Sequence, residues 1–149
     1  MKKQFNILII ISIAAVLNES CNNFSGQKKS TSGKYINGSY HGESRSVYTT
    51  EPFYGKVCVT VRDSRLAKIN FIIRDSANHE TFDGNYEKHF TGNAVYIEQC
   101  RNDWKGVQNY PAELLLKQDI EKLDAVSGAT WSFNIFKAAT NEALKKAIK

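Results

Sequence analysis

Residues 54–74 read YGKVCVTVRDSRLAKINFIIR, and this stretch decides the fold class. From Tyr54 to Arg62 the apolar residues alternate. Val57, Val59 and Val61 point one way, and Lys56, Cys58, Thr60 and Arg62 the other. A period of two with β-branched residues on one face is the pattern of a half-buried strand. Asp63-Ser64-Arg65 breaks the run with turn-forming side chains. From Lys68 to Arg74 the alternation resumes, with Ile69, Phe71 and Ile73 on one face. Two such runs joined by a short polar turn predict an antiparallel hairpin.

Upstream, residues 38–44 (GSYHGES) read as a first strand punctuated by Gly38 and Gly42. The globular domain is expected to begin near Tyr35 and run to residue 149. Before it, residues 21–34 are polar, rich in Ser and Gly, and without periodicity, as in a flexible tether. Residues 1–20 read as a signal peptide: Lys2 and Lys3 make a positive start, and Ile7 to Leu17 is an apolar run too short to span a bilayer. Leu17-Asn18-Glu19-Ser20-Cys21 resembles a bacterial lipobox, although Asn18 and Glu19 depart from its usual residues. The expectation is an exported protein of the bacterial cell envelope, membrane-anchored by lipid on Cys21. The alternative is a plain signal peptide followed by an unmodified cysteine.

Downstream of the hairpin, 75–92 reads as polar loop. Ala94, Ile97, Cys100, Arg101, Trp104 and Val107 recur at helical spacing, with Gly106 as a stop signal. A short helix is expected after Pro111. Ile120 to Val126 looks extended. A last helix is expected from Trp131 onward. There Ile135, Ala139, Ala143 and Ala147 form an i+4 row flanked by Phe136, Leu144 and Ile148, with Lys137, Asn141 and Lys145 opposite. The predicted class is α+β: an antiparallel sheet with packed helices, the C-terminal helix following a Ser-Gly-Ala-Thr turn.

The chain has 149 residues, 42% hydrophobic and 23% charged, enough for one domain with a core. Its net charge is +5. Lys and Arg are dispersed along the chain, which argues against nucleic-acid binding. Cys58 and Cys100 can pair outside the cytoplasm, but two buried free thiols are the simpler expectation. No cysteine or histidine pattern indicates a metal site, and His41, His79 and His89 receive no role.

The junction at 124–130 (DAVSGAT) carries the chemistry. Backbone N–H groups at a helix start lack helical partners and face outward. Together with the helix dipole they favour a phosphate. Gly128 and Ala129 leave room for a ligand, and Ser127, Thr130 and Ser132 bring hydroxyls to the same place. Taken alone, these Ser and Thr residues fit plain helix capping as well.

Asp124-x-x-Ser127-Gly128-Ala129-Thr130 resembles the signature of the FMN-binding domain family. That family includes flavin-carrying components of the sodium-translocating NADH:quinone reductase and of the Rnf electron-transport complex, and small exported single-domain proteins. The start at Gly38 and Gly42, the hairpin and the last helix also resemble the family pattern. The resemblance implies FMN as cofactor, joined through a phosphoester to Thr130. A flavin transferase would attach it, with FAD as donor and AMP released. Asp124, Ser127, Gly128 and Ala129 match the positions that transferase recognises. Of the aromatic residues Tyr48, Trp104, Tyr110 and Trp131, the last is the expected ring contact, because it adjoins Thr130. The implied role is a flavin-based electron carrier that exchanges electrons with other redox proteins. It is closer to an electron-transfer domain than to a stand-alone enzyme. Two alternatives remain at this stage: a non-covalent FMN-binding module or small reductase, and a structural surface lipoprotein without cofactor.

Overall fold

The computed structural model describes residues 33–148. The expected signal peptide, Cys21, most of the expected tether and Lys149 lie outside the described residues. Four strands form one antiparallel meander in the order of the chain: β1 (Gly38–Glu43), β2 (Phe53–Arg62), β3 (Arg65–Asp75) and β4 (Glu80–Phe82). The hairpin turns on Asp63 and Ser64, with φ of 50° and 60°. Two successive left-handed residues make the turn that matches strand twist. The alternation sets the register, with Val57 opposite Phe71 and Val59 opposite Ile69. These side chains, with Ile73, are buried on one face of the sheet.

One residue breaks the phase. Thr60 pairs with Lys68 but Val61 pairs with Leu66, so Ala67 is an extra residue in β3. This bulge turns Leu66 inward, out of step with Ile69, and buries it. The Gln118 side chain covers the adjacent edge. It accepts the Leu66 N–H at 2.9 Å and donates to the Leu66 carbonyl at 3.0 Å.

Two helices cover the buried face. α1 (Ala94–Lys117) packs over β3, and α2 (Thr130–Ala147) over β1 and β2, and the helices touch each other. The expected α2 row holds: Ile135, Ala139, Ala143 and Ala147 are buried, with Phe136 edge-on to Phe71 at 4.9 Å. Burial of a large apolar side chain such as Ile135 or Phe136 contributes about 1.5–3 kcal/mol. Ile148, expected to flank the row, does not. It is exposed beyond the helix end and forms a backbone bridge with the buried Tyr35. Among the described residues no helix is long and apolar enough to cross a membrane.

Three local expectations change. Residues 75–92 are not all loop: they contain β4 and a 3-10 turn at Tyr86–Phe90. α1 is one helix that runs through both Gly106 and Pro111. Gly106 is no stop. A Cβ there would lie 2.7 Å from the Tyr110 ring, so the missing side chain makes space for that phenol against the helix. Ile120–Lys122 is a single 3-10 turn, and Leu123–Val126 has no regular structure, so a loop rather than a strand leads into the motif. Cys58 and Cys100 are both free. Cys100 is buried as expected, whereas Cys58 is only half-buried on the open face of β2.

Candidate functional site

The motif loop ends in a turn. The Ala129 N–H donates to the Val126 carbonyl at 2.9 Å, and Gly128 has φ +74°. A positive φ at the third turn residue defines type II geometry, which favours glycine. A side chain at Gly128 would also meet the protein: its Cβ would lie 2.9 Å from Asn102 Nδ2. The Gly128 carbonyl accepts from Gln99 Nε2 at 2.7 Å. The buried Tyr110 hydroxyl pins both ends of the turn. It accepts the Val126 N–H at 3.3 Å and donates to the Ala129 carbonyl at 2.9 Å. Tyr110 is therefore a clamp on the turn rather than a ring contact. Burial raises its pKa.

α2 starts on Ala129, which has no side-chain oxygen to cap it. The cap comes from α1 instead. Asp103, 2% exposed, accepts the Ser132 N–H on Oδ1 at 3.0 Å and the Gln99 amide on Oδ2 at 2.7 Å. The Phe133 N–H reaches the Ala129 carbonyl at 3.1 Å. Among the described hydrogen bonds none uses the N–H of Thr130 or Trp131. Two adjacent donors thus remain at the positive end of a helix of 18 residues.

Beside them lies a cavity of about 280 Å³. Phe53, Phe82, Tyr86, Phe90, Tyr96 and Trp131 form its aromatic walls, and Gln99, Cys100 and Asp103 complete it from α1. Trp131 stands edge-on to Phe53 at 5.2 Å and to Phe82 at 5.3 Å. Tyr86 is held by a bond from its hydroxyl to Asp75 Oδ2 at 2.5 Å. Burial, and then that bond, push the Tyr86 pKa up to about 12. Burial alone would raise the Asp75 pKa, but the bonds from Tyr86, Ala77 and Asn78 outweigh it and lower it. Burial pushes the Cys100 thiol up to about 11, which keeps it protonated rather than nucleophilic at neutral pH.

The residues singled out from sequence divide by position. Asp124, Ser127, Gly128 and Thr130 are exposed, and Ala129 is fully buried. Ser132 is buried, with its hydroxyl donating to the Ala129 carbonyl at 3.1 Å, so it turns away from solvent. Trp131 reaches the cavity, whereas Tyr48 and Trp104 do not line it. Sequence reasoning missed Asp103, Gln99 and most of the aromatic wall. The spacing of Phe82, Tyr86 and Phe90 at intervals of four was the available signal, hidden inside a polar segment.

The site suits a ligand with two parts. A flat ring system matches the aromatic cavity, and a phosphate matches the free N–H pair beside the Thr130 hydroxyl. The sequence model of the FMN-binding domain matches residues 53–145. Among solved structures, the CPE2226 protein from Clostridium perfringens is similar in fold. It is 22% identical, with a TM-score of 0.52 over 76% of this chain and 88% of that one. No curated protein matches the chain significantly.

Proposed function

Because the chain belongs to the FMN-binding domain family, with FMN as its cofactor, we propose that it is a flavin-based electron carrier of the cell envelope. The observation that carries the site assignment is the pair of unpartnered N–H groups on Thr130 and Trp131, next to an exposed hydroxyl and an aromatic cavity. Thr130 and Trp131 would hold the phosphate, and the cavity walls would exclude water from the ring. When bound, FMN supplies one- or two-electron transfer.

In this reading Thr130 is the covalent attachment point. Its Oγ1 attacks the FMN phosphorus of FAD, the bond to AMP breaks, AMP leaves, and the hydroxyl proton is lost to solvent. A flavin transferase is the partner for this step. A covalent bond also has a physical rationale outside the cytoplasm, because a non-covalent site empties once free ligand falls below its dissociation constant. Export and anchoring through Cys21 rest on the apolar run of residues 7–17 and the lipobox-like Leu17–Cys21.

In-gel fluorescence after denaturation, with the protein exported from a host that has the transferase, tests the covalent reading. Retained signal supports it, and colour lost on denaturation reduces the claim to non-covalent binding. Cys21→Ala should release the protein from membranes. Persistent membrane association would overturn the anchoring assignment.

A further inference from the structure

The aromatic cavity has one charged side chain in its wall among the described residues, the Asp103 carboxylate. No Lys, Arg or His among them lines it. Asp103 is almost fully buried, and both of its oxygens accept N–H bonds, from Ser132 and Gln99. Both donors are neutral groups, so among the described residues the charge is offset only by the partial positive end of α2 and by no cation. Of the two cations beside it on α1, Arg101 is bound to Glu87 at the surface, and Lys105 is exposed and does not line the cavity. The rest of the wall is largely aromatic, which lowers the local dielectric and lengthens the reach of the charge.

A ring that takes up electrons gains negative charge density. A fixed carboxylate nearby raises the energy of that reduced form more than that of the oxidised form. We propose that Asp103, besides capping α2, holds the reduction potential of the bound flavin below that of free FMN, which makes the reduced flavin a stronger electron donor than free FMN. This inference rests on the assignment of the flavin ring to the cavity.

The first test is the midpoint potential of the loaded wild-type protein. The expected value lies below that of free FMN, and a value equal to it or above it overturns the proposal without any variant. The second is Asp103→Asn, which removes the charge while leaving an oxygen for the Ser132 N–H. Its potential should move in the positive direction, and a wild-type potential in this variant would again overturn the proposal. The third uses Thr130→Ala protein free of flavin, titrated anaerobically with riboflavin, which has no phosphate and so reports on the ring cavity alone. Oxidised riboflavin should bind roughly tenfold or more tightly than reduced riboflavin, and adding Asp103→Asn should shrink that ratio. Equal binding of the two forms would sink the role of Asp103 and leave the ring site standing. No quenching of riboflavin fluorescence at all would remove the ring site and this proposal together.

Discussion

The two helices of this protein begin in opposite ways. α1 starts on Asn93, whose own Oδ1 accepts the Tyr96 N–H at 3.2 Å. α2 starts on Ala129, and its cap is Asp103, 29 residues before Ser132 on the other helix. The first arrangement is complete within one turn of chain. The second exists only after the helices dock, and it satisfies the third N–H of α2 while the first two stay free. A helix start capped from a distance can thus be rigid and open at once. That combination suits a phosphate site, since the donors are held in place before the ligand arrives.

The comparison breaks most visibly at Thr130. Thr130→Ala should abolish the covalent flavin completely in a host with the transferase, read by intact mass and peptide mapping. The fold should change little, because the side chain is exposed and Ala is a strong helix former. Thr130→Ser, which keeps the hydroxyl, should retain part of the adduct. An adduct on another residue would refute the assignment.

Gly128→Val comes next, with most of the flavin-to-protein absorbance ratio lost and helical circular dichroism largely kept. The φ of +74° and the nearby Asn102 amide both oppose a β-branched side chain. The left-handed backbone alone costs about 1–2 kcal/mol. Wild-type flavin content in folded Gly128→Val would mean that the turn does not shape the phosphate site.

Capping energies give the smaller effects. Asp103→Ala should lower stability by about 2–3 kcal/mol in urea denaturation, because the Ser132 N–H is left without its buried charged acceptor. Asn93→Ala should cost about 1 kcal/mol, with flavin incorporation unchanged. Equal losses in the two variants would show that the two helix starts differ in geometry but not in energy.

Much of the scaffold was legible. Val57, Val59 and Val61 announced the buried face of β2 through their period of two, and Ile135, Ala139 and Ala143 announced that of α2 through their i+4 spacing. Gly106 and Pro111 misled, because their ordinary meaning as helix breakers is local. Gly106 answers instead to the Tyr110 ring folded back on it, and that phenol answers to a turn 16 and 19 residues further along. The segment 75–92 was hidden for a similar reason. Its order comes from Asp75, which collects bonds from Ala77, Asn78 and Tyr86, and side-chain bonds of this kind leave no periodic trace.

By itself the sequence determined the antiparallel hairpin, the buried face of the last helix, and the Ser127–Thr130 segment as the turn at its head. These follow from periodicity and local backbone chemistry, which operate over a few residues. Only the tertiary structure decided that Asp103 caps α2, that Tyr110 clamps the turn, and that six aromatic side chains from β2, β4, the 3-10 turn and both helices enclose one cavity. Periodicity states which face of an element is apolar but not which element will cover it. A hydrogen bond between residues far apart in the chain forms only where packing has already brought them within reach.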